Sequence, residues 1–549
     1  MQTRVALAVA LYVFCALNSQ AASRVETRPP EVVIGERLFL ETRFAQAFFV
    51  QSKGDVNAIN IPGDPTLNTI DAPGSPLDGV FKGKTMNCRQ CHLEDEFVGV
   101  AGGGLRIYSD FARRSPIPPR EDGKTLTTRN APTLVGASLP RAAFFQHYDG
   151  EFTTPQDLAV GGFTGRNFGW LPSESAVAFK NIANVIRNDN GKGDLAKQYG
   201  GSYAAVFNGD RSVPAQFQLP RKYRMGVRMA SDARVVACVA NLVAAYMQSL
   251  DFGRDATGAH NKSPYDVFLV KNNLPRLPTQ GESNQDYSRR LRDAANALAN
   301  PVFVTTVDGV FLSHGQAFQF GVNELAGMKL FFAQPAPPGN GPQGGPPRSS
   351  GNCISCHHAP EFTDFVFHNT GVSQHEYDGL FGPGAFEAIK IPSLADRTAN
   401  PGNFLPANGL HPDYFGTFRS IPALAHPGQA DLGLWNVYAN ADYPKSQKVL
   451  AELTQTVFGN LSQDAVLDKT IATFKTPGLR DLGHSQPYLH SGKLDTTRDV
   501  VDFYVHAGQL QRAGHLRNGD PRMGGIALSP TEAFQVAKFL DALNEDFTE

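Results

Sequence analysis

Two pentapeptides in this chain can each hold a metal-bearing ring covalently: Cys88-Arg89-Gln90-Cys91-His92 and Cys353-Ile354-Ser355-Cys356-His357. In each, two thiols three positions apart suit addition to the two vinyl groups of one haem. The His that follows is then held against the iron. The chain has six Cys, and the remaining two, Cys15 and Cys238, form no further matched pair. The pattern reads as two covalent haem c groups. One is attached at Cys88 and Cys91 with His92 as axial iron ligand, the other at Cys353 and Cys356 with His357.

The sixth coordination position decides what such an iron does. A strong ligand there gives an electron-transfer haem, and an open position admits peroxide or oxygen. A weak internal repeat supplies the comparison. Ile34-Gly35-Glu36-Arg37-Leu38-Phe39 precedes the first motif, and Ala326-Gly327-Met328-Lys329-Leu330-Phe331 precedes the second. Ala131-Pro132-Thr133-Leu134 and His147-Tyr148-Asp149-Gly150 follow the first. Thr476-Pro477-Gly478-Leu479 and Leu489-His490-Ser491-Gly492 follow the second. Tyr504 lies as far after Gly492 as Gly162 lies after Gly150. A phenol can ligate haem iron and a glycine cannot. On this spacing the first haem is open and the second is capped, with Tyr504 in competition with His490, His506 and Met523.

The elements that must position these groups are largely helical. Each half closes on an apolar helix, over 236–250 in the first and from the capping box Ser529-Pro530-Thr531-Glu532 to about 543 in the second. Cys238 reads as a buried thiol inside the first of these. At 549 residues the chain is too long for one ordinary core. We expect a leader over 1–22, a first haem-binding unit over 23–255, a linker or insertion over 256–315 and a second unit over 316–549. Residues 261–279 read as a turn-rich linker and 334–352 as a Pro/Gly-dense loop. Residues 380–429 read as surface padding in preference to a lid over the second unit.

Composition narrows the partners. A net charge of −2 argues against nucleic acid. Arg4, the apolar run 5–17 and Ser19-Gln20-Ala21 have the pattern of a secretory leader. No later stretch reaches the roughly 20 apolar residues of a membrane span. The expected location is therefore the periplasm, where haem c is attached, with secretion beyond it left open.

Taken together, these segments resemble the bacterial di-haem cytochrome c peroxidase and MauG superfamily. The resemblance runs through 34–39, the first motif, 129–134 and Tyr148-Asp149-Gly150. It continues through 327–332, the second motif, Phe362-Thr363-Asp364, 367–372, 476–480, 487–492 and Tyr504. It implies a mainly α fold of two cytochrome c-like domains, each with one covalent haem c, interrupted by long Gly/Pro-rich loops. It places Tyr504 where the peroxidases have a Met ligand and MauG a Tyr. It places Tyr148 where the family usually has a Trp between the haems, a position from which an electron can be relayed. It also implies a calcium ion held by the Asn130 side chain and the carbonyls of Ser485 and Pro487.

Some departures bear on function. The family's distal Gln falls on Leu158, its acid/base Glu near Phe168 and the preceding Pro on Gly162. The pocket around Leu158, Gly162, Phe163 and Phe168 is therefore expected to be apolar, with His147 the nearest titratable group. The family's loop His after the first motif is absent, and Tyr108 stands roughly there. The leading expectation is reduction of hydrogen peroxide at the first haem, with electrons passing through the second from a small donor protein, a c-type cytochrome or cupredoxin. The alternatives are a MauG-like or rubber-oxygenase-like enzyme using oxygen or peroxide on an organic or protein substrate, and a non-enzymatic di-haem electron carrier.

Overall fold

The computed structural model describes residues 28–58, 86–92, 96–98, 105–107, 114–335 (except 116, 142 and 313) and 349–548. The expected leader, Cys15, Tyr108 and residues 336–348 lie outside them. The molecule is helix-rich, 44% helical with few strands. Six helices position the sites: α1 (Pro30–Phe39), α2 (Pro155–Phe163), α3 (Asp232–Ser249), α4 (Val322–Phe332), α5 (Thr497–Ala513) and α6 (Pro530–Asp541). Among the described residues no helix is long and apolar enough to cross a membrane.

Each half is built on one helix crossing, α1 on α3 and α4 on α6. The contact is backbone against backbone. A Cβ at Gly35 would lie 2.1 Å from the Leu242 carbonyl oxygen, and one at Gly327 would lie 1.8 Å from that of Gln535. Only glycine permits this approach. The crossing partners bury apolar stripes at helical spacing, with Val235, Val239, Leu242 and Tyr246 on α3 and Val536, Phe539 and Leu540 on α6. Ser529 caps α6 through the Glu532 amide, and Pro530 occupies its first turn, as the sequence implies. Cys238 is buried on α3 and donates to the Tyr223 carbonyl. Burial pushes its thiol up to about 11.

Two further cores correct the sequence reading of the insertions. The stretch 256–315 is folded: it holds helices Pro264–Lys271 and Asn284–Asn296, and Tyr265, Phe268 and Tyr287 join the core of the second half. Pro264, within the stretch that read as a turn-rich linker, opens a helix. Ser263 and Asp266 form a capping box around Pro264. Residues 380–429 are not padding either. With Phe145 and residues up to 472 they make a core of their own around Phe386, Phe418, Leu432 and Trp435. A small fourth cluster, including Phe503 and Met523, backs α5.

Strands are short. β1 (Glu96–Val98), β2 (Leu105–Ile107) and β5 (Phe547–Thr548) form one antiparallel sheet in the order β1-β2-β5. β3 (Phe367–His368) pairs with β4 (Phe474–Lys475), with His368 opposite Phe474.

The repeat appears in the backbone. Turns closed by bridges Gln146↔Phe152 and Tyr488↔Leu494 have the same shape, with His147 (φ 58°) matching Leu489 (φ 69°) and Gly150 (φ 76°) matching Gly492 (φ 59°). Each turn accepts a hydrogen bond from the other half. The Asn130 amide donates to the His490 carbonyl at 2.7 Å, and the Lys475 amide to the Tyr148 carbonyl at 2.7 Å. Beside them, buried Arg129 grips both Asp431 oxygens (2.5 and 2.8 Å) and Asp149 (2.7 Å). Burial alone would raise the Asp431 carboxyl, but Arg129 outweighs it and holds the group at about 2.

Two outcomes follow. Gly327→Ala should lower stability by about 1–3 kcal/mol, read from denaturant midpoints, because either the crossing or the backbone must shift. The pKa of Asp431 is depressed on folding from an ordinary 3.8. Its ion pair therefore stabilises fully above about pH 4, by roughly 2 kcal/mol, and this is lost as pH falls towards 2. The stability deficit of Asp431→Asn should accordingly shrink across that window. A deficit that does not change with pH would contradict the pairing.

Candidate functional site

Three adjoining cavities surround the contact between the halves. The first, of about 580 Å³, carries Cys91, His92, Arg129, His147, Glu151 and Gly162 on its wall. The second, of about 190 Å³, carries Cys353, Cys356, His357 and Tyr504. The third, of about 140 Å³, carries Asn130, Ser485 and Pro487. Tyr148 lines all three.

Both motifs begin as a single 3₁₀ turn, at Cys88–Gln90 and Cys353–Ser355. In each, the His amide donates back to the first Cys carbonyl, at 3.0 Å for His92 and 2.8 Å for His357. This brings the two Cys and the His of one motif together. The ring of His357 is fixed as well. Its Nδ1 lies 2.8 Å from the Phe362 carbonyl, which can only accept, so Nδ1 carries the proton and Nε2 is left for a metal. Burial pushes His357 down to about 4, which keeps the ring in the neutral form that ligates. Burial also raises the Cys353 thiol to about 12. Cys88 packs against the first core. These donors suit a haem c in each cavity.

The opposite walls differ. Tyr504 lies on α5, eight residues after its N-cap Thr496, and Gly162 lies on α2, eight residues after its N-cap Thr154. Tyr504 shares its cavity with His357 and bonds to Thr370, while burial raises its phenol. A Cβ on Gly162 would meet nothing within 4 Å. One helix therefore presents a phenol where its counterpart presents open space. Of the competing ligands, His490 and Met523 also line the second cavity, and His506 does not.

Between the cavities the Tyr148 ring lies 6.2 Å from that of His490, which stacks on Phe474 at 3.6 Å. Burial pushes His490 down to about 3. The residues expected to hold calcium do gather. Asn130 Nδ2 donates to the Pro487 carbonyl at 2.6 Å, while its Oδ1 is buried without a hydrogen bond. A neutral oxygen of this kind suits a hard cation. These groups alone make only part of the six to eight oxygens calcium takes.

The expected apolar pocket is not there. Phe163 and Phe168 turn into the first core, edge to face at 5.4 Å, and Leu158 lines the third cavity. The first cavity is instead faced by Arg129, Arg166, Arg419, Lys445, Glu151 and Asp157. Sequence reasoning missed these charges because Arg419 and Lys445 arrive from distant segments. Lys445 pairs with Asp157 and Arg419 with Glu151. Arg129, Glu151, Asp157 and Arg166 were within reach of a local reading, being interleaved with the residues of the expected pocket.

No family model matches the chain. Part of it is 26% identical over 195 residues to cytochrome-c peroxidase IdrP2 of Denitromonas iodatirespirans, covering 35% of this chain and 36% of that protein. It is 25% identical over 199 residues to the protein of the same name from Pseudomonas sp. (strain SCT), covering 36% and 38%. The chain thus spans little more than a third of the length of the curated relatives it matches. Among solved structures, a MauG-like protein associated with microbial copper homeostasis superposes with a TM-score of 0.42 at 15% identity, over 95% of this chain and 91% of that one. Over about a third of its length the chain is thus similar to proteins named cytochrome-c peroxidases, and each of its halves carries one Cys-x-x-Cys-His motif.

Proposed function

We propose that this chain is a di-haem c oxidoreductase of the periplasm that reduces hydrogen peroxide. The haem at Cys88, Cys91 and His92 would be the reactive one. The haem at Cys353, Cys356 and His357, capped by Tyr504, would pass electrons to it from a small donor protein, a c-type cytochrome or cupredoxin. The observation that carries this reading is the pairing of Gly162 and Tyr504 at matched positions of matched helices. Bound haem supplies one-electron redox chemistry and, where no sixth ligand stands, a position for a small oxidant.

The chain's own residues supply the rest. His357 is held in its ligating tautomer by Phe362. Tyr148, His490 and Phe474 fill the space between the cavities with aromatic groups that can relay electrons. Asn130, Ser485 and Pro487 are offered as a calcium site that would tie the halves together. The charged groups of the first cavity suit proton-coupled reduction of peroxide, whereas the oxygenase alternative rested on an apolar distal pocket together with the large insertions.

The purified holoprotein should contain two haem c per chain and consume hydrogen peroxide with a reduced cytochrome c as donor. Failure to turn over peroxide, with oxygen uptake on an added organic substrate, would replace this reading by the oxygenase one. Two low-spin ferric haems that bind no added ligand would leave only an electron carrier. Tyr504→Phe should change the low-spin ferric signal of the second haem and raise its potential. An unchanged spectrum would remove Tyr504 as a ligand.

A further inference from the structure

We infer that His147 carries the proton at the first site, with Glu151 and Arg419 as its positioning residues. The inference rests on the peroxide-reducing reading and names the acid/base group that the first cavity requires. Cleaving peroxide needs a group that moves a proton from one oxygen to the other.

His147 lines the first cavity together with His92 and Gly162. Its Nδ1 lies 3.1 Å from Glu151 Oε2. An ionised carboxylate can only accept, so the Nδ1 proton is fixed there and Nε2 is the basic nitrogen. Among the described residues nothing bonds to Nε2. The ring is also held edge-on against Phe152 at 4.9 Å. The backbone of His147 sits at φ 58°, the left-handed conformation its counterpart Leu489 also takes, so the turn itself fixes where the ring stands.

Glu151 is fixed in turn. Arg419 Nη2 reaches the same Oε2 at 2.5 Å and Asp149 at 3.3 Å, and Ser446 Oγ donates to the Glu151 carbonyl at 2.9 Å. Burial would raise the Glu151 carboxyl, but Arg419 and His147 outweigh it and hold it ionised. A carboxylate so well paired is a poor base but a good orienter of an imidazole, as in catalytic triads. Arg419 directly follows Phe418 of the aromatic core around Trp435, so the second-half insertion reaches the first-half site.

The step balances as follows. Nε2 takes a proton from one peroxide oxygen and gives it to the other, which leaves as water when the O–O bond breaks. Two electrons, which bound haem c would supply, and two protons from solvent convert the remaining oxygen to the second water.

The test uses ferric holoprotein and cyanide, which must shed its proton to bind and involves no turnover. His147→Ala should slow cyanide association by about 10²-fold or more, and added imidazole should restore part of the rate. Glu151→Gln, which keeps the side chain's shape, should slow it by at least about tenfold, and Arg419→Lys should stay nearer the parent than Arg419→Ala. Parental rates in His147→Ala or Glu151→Gln variants that retain both haems would overturn the inference. So would a parent that binds no cyanide. Imidazole-dependent cyanide binding without peroxide turnover in the parent would instead sustain the proton carrier and sink the peroxidase reading.

Discussion

Two backbone hydrogen bonds organise the centre of this molecule. The amide of Asn130 reaches the carbonyl of His490, and the amide of Lys475 reaches that of Tyr148. Each turn is thus completed by a segment of the opposite half. A buried peptide group left without a partner costs about 1–3 kcal/mol, so neither turn is self-sufficient once water is excluded. The same exchange brings the Tyr148 and His490 rings side by side and sets all three cavities around Tyr148. Arg129, next to Asn130, adds charge to the junction by binding a carboxylate of the first half and one of the insertion.

The parts of the fold that were legible in the sequence are those governed by local rules. The helix stop and start signals gave α3 and α6 to within a few residues, because capping groups and apolar period act within one turn. The matched turns were legible too, since a glycine that must take positive φ leaves its mark on one position. The linker was misread because Ser-Pro opens both turns and helices, and only the distant core into which Tyr265 and Phe268 fall decides between them.

The first cavity was misread for a different reason. The spacing after Gly150 put Leu158, Phe163 and Phe168 in it, and helix α2 does pass there, but two of the three face inward. Two of the charges that face it come from far away: Arg419 meets Glu151 across 268 residues of sequence, and Lys445 meets Asp157 across 288. Gly/Pro-rich composition says that a segment is irregular, and nothing about which wall it covers. The insertion's own aromatic core around Trp435 gives it the rigidity to hold a charge in place.

Duplication with divergence at a few positions accounts for the difference between the two sites. The backbone of the two turns is the same, down to the left-handed residue that precedes each aromatic ring. At that residue the first half has His147 and the second Leu489. Four positions on, the first half has Glu151 and the second Lys493. At the matched helix position the first has Gly162 and the second Tyr504. The first half thus carries an imidazole and a carboxylate where the second carries an aliphatic chain and an amine, and open space where the second carries a phenol. The shared scaffold fixes where the groups stand. The exchange of these three pairs then sets the two cavities apart on one backbone.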